Sequence, residues 1–288
     1  MLEINVKFSA LRILFHSQLS PLYPAREIDA IFFTYIDDKY NINKYQFFLD
    51  TEQICFEARK AMRDLKKLAK GCPIQYILGK TIFYNIELKV NPSVLIPRPE
   101  TEELVEAILN SHWLKPMVSR ILDLCTGSGA IAVALAKNIK NAAVWATDIS
   151  EKALQIAQEN ATLNNVDVTF LHHDILKDGV ANLPDNLDVI VSNPPYIPQS
   201  ESVNMHKNVV DFEPQKALFV PDESPLIFYN AIANFAKKNL RAGGVLYFET
   251  YEKFHFELSE MLTYLDFKEI ILWNDINGKP RFGSCKKL

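Results

Sequence analysis

From Arg120 to the end of the chain, short apolar runs alternate with amphipathic stretches, and that alternation restricts the fold more than any other feature. Residues 121–124, 143–146, 168–171, 187–191 and 245–248 are compact and rich in Val, Ile and Leu, as buried strands are. Between them, residues 130–137 carry a helical pattern, and Ser150 stands where a capping side chain begins a helix that runs to about Leu163. Ser224 with Pro225 opens another helix, expected to end near residues 241–244. Repeated strand–helix–strand units dictate a mostly parallel sheet with helices on both faces, an α/β fold.

The preceding residues have a different character. The first seventy or so read as helical, most clearly 53–70, where Ile54, Ala58, Ala61, Met62, Leu65 and Leu68 make one apolar stripe. Asp50 and Gln53 are placed to form a capping box, and Gly71 and Pro73 end the helix. Arg59, Arg63, Lys66 and Lys70 fall on another face, either a solvated face or a docking surface for an acidic partner. Residues 82–84 and 86–90, with Asn85 between them, read as a hairpin, and Pro99 suits the first turn of a helix. The expected organisation is an N-terminal helical domain, 1–73, and an α/β domain, 74–288, with 74–98 as a bridging hairpin.

Composition narrows the function classes. A net charge of −4 over 288 residues argues against stable, sequence-independent binding to nucleic acid, which needs many cations. No run of about 18 apolar residues exists, so no membrane span is expected. The N-terminus lacks a basic segment followed by an apolar one, so no signal peptide is expected. Cys55, Cys72, Cys125 and Cys285 are scattered, which fits reduced thiols and a cytoplasmic setting. They form no C-x-x-C pair, and His172 with His173 lack metal-ligand spacing, so no metal is expected and the two histidines read as structural.

The first strand of the α/β part runs into Cys125, Thr126, Gly127, Ser128 and Gly129, after which a helix starts. Glycines there let the backbone turn tightly and let a ligand approach it. The second strand ends at Asp148, where a carboxylate can accept hydrogen bonds from both ribose hydroxyls. Strand, loop, helix and acid together point to a nucleoside cofactor. They do not separate NAD from S-adenosylmethionine, since Gly127, Gly129 and Ala132 also satisfy a dinucleotide fingerprint.

The fourth strand leads into Ser192, Asn193, Pro194, Pro195 and Tyr196. Two prolines stop the strand and stiffen the loop without offering backbone donors. The Asn193 oxygen and the Pro194 carbonyl are then two acceptors for the two hydrogens of a planar NH2 group, over which Tyr196 can stack. Holding those hydrogens out of plane exposes the nitrogen lone pair for in-line attack on an activated methyl.

These residues resemble the HemK/PrmC family of protein-(glutamine-N5) methyltransferases. The likeness rests on 73–79 running into Phe83, on 94–102 with its I-P-R-P-E-T-E string, on 123–132 and on 193–198, and it extends over residues 73–250. The resemblance implies a class I S-adenosylmethionine-dependent methyltransferase fold with a seven-stranded sheet, its last pair near 267–273 and 281–286. It implies S-adenosylmethionine held by Cys125 to Gly129, Asp148, Asp174, Ile175 and Asn193. It further implies a substrate glutamine, from the Gly-Gly-Gln loop of a class I peptide-chain release factor, held by Asn193, Pro194, Pro195 and Tyr196. The exocyclic amine of a nucleic-acid base is a second planar NH2 the same acceptors would take. One stretch departs from the family: residues 219–226 replace a glycine-rich string, keeping only its aspartate and leucine as Asp222 and Leu226.

Overall fold

The computed structural model describes residues 6–50, 53–111, 119–177 and 183–288. The chain divides into two units, residues 1–80 with 206–212, and residues 81–205 with 213–288.

The first unit opens with β1 (Val6–Lys7), α1 (Phe8–Leu19), α2 (Ala25–Tyr40) and α3 (Lys44–Leu49), and continues with β2 (Ile54–Cys55), α4 (Ala58–Leu68) and α5 (Ile74–Leu78). Its core is aromatic, with Phe15, Phe32 and Tyr35 fully buried and packed on one another with Phe33 and Phe47. Asn41 ends α2 in the left-handed region at φ 55°. Asn43 and Gln46 close a reciprocal capping box on α3 at 2.9 Å each way.

The helix expected over 53–70 starts later. Ile54 and Cys55 pair antiparallel with Lys7 and Val6, and α4 begins at Ala58, with Glu57 at its N-cap and no side-chain cap. Strand pairing within the unit overrides the local periodicity, so the Asp50–Gln53 capping box is not used. The unit also reaches further than residue 73. It keeps α5 and takes in residues 206–212, where His206 stacks on Tyr23 and Phe212 lies beside Gly71.

The second unit begins with the hairpin of β3 (Lys80–Phe83) and β4 (Ile86–Lys89), then α6 (Pro99–Leu109). The alternating part follows as β5 (Arg120–Leu124), α7 (Ala130–Asn138), β6 (Ala143–Asp148), α8 (Glu151–Leu163), β7 (Thr169–His172) and β8 (Leu187–Ser192). After β8 come β9 (Ile197–Pro198), α9 (Lys207–Phe212, which belongs to the first unit) and β10 (Phe219–Val220). The chain closes with α10 (Ile227–Asn239), β11 (Leu240–Glu249), α11 (His255–Tyr264), β12 (Lys268–Asn274) and β13 (Pro280–Lys286).

Seven strands form one sheet in the order β12-β13-β11-β8-β5-β6-β7. All neighbours are parallel except β13, which runs antiparallel to both β11 and β12. Alternate residues of each central strand point to opposite faces. Ile121, Val189, Val191, Val245 and Tyr247 pack in one core with α6 and α7, while Leu122, Ile190, Leu246 and Phe248 pack in the other with α10 and α11. The helix expected to end near 241–244 stops at Asn239 instead. Those four residues already belong to β11, which carries a bulge between Leu240 and Val245 against β8. Gly244 is required there, because a Cβ would lie 2.8 Å from the Leu187 carbonyl.

Gly283 of β13 sits against Phe248 and Leu272, where an added Cβ would come within 2.5 Å and 2.8 Å of their ring and methyl carbons. Gly283→Ala should therefore destabilise the protein by about 1–3 kcal/mol, the range for overpacking a tight core. Urea unfolding at wild-type stability would show that the close packing of β13 is not tight.

Candidate functional site

The strand order reverses between β5 and β8, so the loops after these two strands open a crevice at the carboxyl edge of the sheet. The crevice is a cavity of 570 Å³. Among the expected residues, Cys125, Thr126, Gly127, Ser128, Asp148, Asp174, Ile175, Asn193 and Pro195 line it. Gly129, Pro194 and Tyr196 are not on its wall.

The loop after β5 takes its shape from three left-handed residues, Cys125 at φ 61°, Gly127 at 56° and Gly129 at 79°. Asp123, buried at the end of β5, accepts from the Thr126 hydroxyl at 2.5 Å and from the Ala132 N–H at 3.2 Å, fastening the loop to the first turn of α7. Burial raises its carboxyl to about 7, against the lowering effect of those donors. The two glycines do different work. A Cβ on Gly127 would meet nothing within 4 Å, so this residue opens to the cavity. A Cβ on Gly129 would lie 3.0 Å from that of Ala157, so this one lets α8 pack close.

Asp148 ends β6 with its carboxylate braced from two sides. One oxygen accepts from the Gly127 N–H at 2.8 Å, the other from the Ser150 N–H at 2.9 Å. Burial pushes its pKa up while these bonds pull it down. Next along the wall, Asp174 accepts from the Leu176 N–H at 3.1 Å and pairs with Lys177, and Ile175 follows it.

The Asn193 side chain projects its amide nitrogen at a buried acid that sequence reasoning passed over. Nδ2 donates to Glu249 Oε2 at 3.0 Å and to Thr101 Oγ1 at 3.3 Å. Among the described residues, Asn193 Oδ1 and the Pro194 carbonyl receive no hydrogen bond. The Tyr196 hydroxyl donates to Glu249 Oε1 at 2.9 Å, and one face of its ring is stacked on Tyr251 at 6.0 Å and 20°. The backbone N–H groups of Tyr196 and Ile197 both donate to the Leu218 carbonyl.

Two further groups escaped the sequence. Glu213 is buried and accepts from the Arg98 guanidinium at 2.6 Å and the Ile96 N–H at 3.2 Å, which explains the physical role of the I-P-R-P string: it clasps the segment bearing Pro214, Gln215, Lys216 and Ala217 beside the cavity. His173 was read as structural, yet it lines the cavity. Burial lowers its pKa, against the raising effect of Asp174, and among the described residues neither ring nitrogen has a hydrogen-bond partner. No signal in the sequence separates it from its exposed neighbour His172.

The residues present fit S-adenosylmethionine. Gly127 leaves open a space that a side chain would fill, Asp148 keeps lone pairs for a ribose diol, and Ile175 supplies an apolar wall beside Asp174. Asp148→Ala should weaken cofactor binding by about 1.5–3 kcal/mol, as expected for losing charge-assisted hydrogen bonds. Calorimetric titration with unchanged affinity would refute the assignment.

Comparison with known proteins agrees with this geometry. The model of the methyltransferase small domain matches residues 101–215. The chain is 41% identical to the release factor glutamine methyltransferase of Flavobacterium psychrophilum, over 94% of this chain and 95% of that protein. It is 39% identical to the release factor glutamine methyltransferase of Bacteroides thetaiotaomicron, over 91% of this chain and 94% of that one. A solved methyltransferase from Pyrococcus furiosus is similar at a TM-score of 0.50 and 17% identity, covering 80% of this chain and 98% of that one, a likeness of fold alone. Identity at this level over nearly the whole length places the chain in the release factor glutamine methyltransferase family of S-adenosylmethionine-dependent enzymes.

Proposed function

We propose that this protein transfers a methyl group from S-adenosylmethionine to the side-chain amide nitrogen of a glutamine in the Gly-Gly-Gln loop of class I peptide-chain release factors. The observation that carries the reading is the state of Asn193, a residue of the cavity wall: its NH2 is consumed by Glu249 and Thr101, leaving Oδ1 as its open acceptor. When bound, the cofactor supplies an electrophilic methyl on a sulfonium. The protein's task is to make a poor nucleophile attack it. An amide nitrogen has its lone pair delocalised into the carbonyl. Asn193 Oδ1 takes one N–H, and the Pro194 carbonyl, whose residue lies behind the wall, takes the other once the substrate side chain is seated; together they hold the hydrogens out of the amide plane and turn the lone pair outward. Pro195, rigid in the wall, limits where the side chain can lie. No strong base is needed before attack, because the nitrogen becomes acidic once methylated.

The helical unit is the docking element in this reading. Arg59, Arg63, Lys66 and Lys70 are exposed along α4 and its end, and Tyr45, Phe48 and Phe56 are exposed aromatics of the same unit. Such a mixture suits a protein surface more than a small molecule. Free thiols at all four cysteines and a substrate of the translation machinery support a cytoplasmic setting.

Incubation with intact release factor and S-adenosylmethionine should add one methyl mass to the Gly-Gly-Gln glutamine, read by mass spectrometry of the digest. A release factor left unmodified would refute the substrate. Asn193→Ala should lower kcat by about 10²–10³-fold, as for loss of one preorganised polar contact, with near-normal cofactor affinity and melting temperature. Normal turnover would make Asn193 a turn residue only. Reversing charge with Arg63→Glu and Lys66→Glu together should raise KM for release factor severalfold at unchanged kcat, and an unchanged KM would move docking elsewhere.

A further inference from the structure

Glu249 is the last residue of β11 and is 1% exposed. The register of the sheet brings it to the site. Phe248 pairs with Ser192, so the next residues on the two parallel strands, Glu249 and Asn193, leave the sheet side by side. Its carboxylate is the meeting point of four groups from three segments. Thr101 Oγ1 donates to Oε2 at 2.6 Å, the same oxygen that accepts from Asn193 Nδ2 at 3.0 Å. Tyr196 donates to Oε1, and the Arg281 guanidinium, itself held by Asp275 at 2.8 Å, stands 3.8 Å from that oxygen.

We infer that Glu249 is a positioning residue that fixes which end of the Asn193 carboxamide faces the substrate. The inference rests on the methyl-transfer reading above and names what makes it work. A carboxamide is nearly symmetric in shape, and turning it over exchanges an acceptor for a donor. Steric fit alone does not choose between the two orientations. A carboxylate does, because it only accepts. With Nδ2 on Glu249, Oδ1 is presented to the cavity. In the reverse orientation, Oδ1 would face Glu249 Oε2 acceptor to acceptor, and Nδ2 would meet the substrate NH2 donor to donor. Burial, the largest effect, raises the Glu249 pKa above the usual carboxylate value, and the Thr101 and Tyr196 hydroxyls and Arg281 pull it back toward the charged form. Thr101 is suited to its place, donating to Glu249 while its lone pair accepts from Asn193.

The isosteric variant Glu249→Gln separates this role from a packing role. The new side chain keeps the volume and an acceptor for Tyr196, but its own NH2 is turned toward Asn193 and favours the reversed carboxamide. It should lower kcat on release factor about 10²-fold, with S-adenosylmethionine affinity and melting temperature close to wild type. In an Asn193→Ala background the same change should cost less than about twofold, because there is no carboxamide left to orient. A double variant whose loss is the product of the single losses would overturn the inference. A second measurement needs neither turnover nor a variant. In the wild-type protein labelled at asparagine, the Asn193 side-chain NH2 protons should exchange with solvent at least tenfold more slowly than those of an exposed asparagine. In Glu249→Gln they should exchange faster than in wild type. Wild-type protons exchanging at the exposed rate would overturn the inference even if the variant failed to fold. Because the exchange experiment contains no substrate, it judges Glu249 separately from the substrate assignment.

Discussion

Strands β5 and β8 lie side by side in parallel with Leu124 opposite Ser192, and the Ser192 hydroxyl donates to the Leu124 carbonyl at 2.7 Å. That pairing decides where chemistry is possible. It sets the ends of the two strands level, so the glycine loop leaving one and the Asn-Pro-Pro-Tyr loop leaving the other start from the same edge. A slip of one residue would exchange the two buried faces of β8, taking Val189 and Val191 out of the core with α6 and α7 and Ile190 out of the core with α10 and α11, so both cores would have to repack. The hydrophobic demand of the sheet therefore protects the alignment of the site, and core packing and function rest on the same register.

On that frame, four acids, three of them buried and Asp148 half-buried, do the fine positioning. Asp123 fastens the cofactor loop to α7, Asp148 braces the same loop from the end of β6, Glu213 clasps the segment at 96–98, and Glu249 collects Thr101, Asn193 and Tyr196. Asp123 acts within one strand–loop–helix turn and the other three join segments distant in sequence, and each receives at least two donors. A buried carboxylate without such donors would be costly, and removing one partner exposes that cost. The same dependence makes these acids effective locators, because a displaced loop leaves a charge unsatisfied. Neutral side chains of equal size would tolerate the displacement.

The strands and helices of the sheet were legible because their periodicity and their burial have one cause, the two-faced parallel sheet. The hairpin, the helix from Pro99 and the antiparallel final pair follow local pattern or the family likeness. What was not legible depended on partners elsewhere. Ile54 fits a helical stripe, but β1 recruits it, with Cys55, into a strand. Residues 241–244 look like a helix end, but β8 captures them as the bulged start of β11. Of the site, the glycine loop, Asp148 and Asn193 announce themselves by residue type after a strand. Glu249 does not, since nothing in a run of strand residues marks the last one as the neighbour of Asn193. His173 is hidden for the same reason, because only strand direction separates it from His172.

The departure at 219–226 shows how little of this geometry depends on side chains in that loop. The Leu218 carbonyl holds the Tyr196 and Ile197 N–H groups, and β10 pairs in parallel with β9, Phe219 opposite Ile197 and Val220 opposite Pro198. These are backbone contacts that any sequence able to extend can make. Asp222, one of the two residues kept from the family pattern, accepts from both the N–H and the hydroxyl of Ser200 and so ties the loop to the segment after β9. Phe219 and Pro221 face the cavity, where an aromatic ring narrows the space and a proline restricts the backbone of the wall. The loop therefore keeps its hold on the Asn-Pro-Pro-Tyr turn through the backbone while its side chains reshape the cavity that the turn helps to enclose.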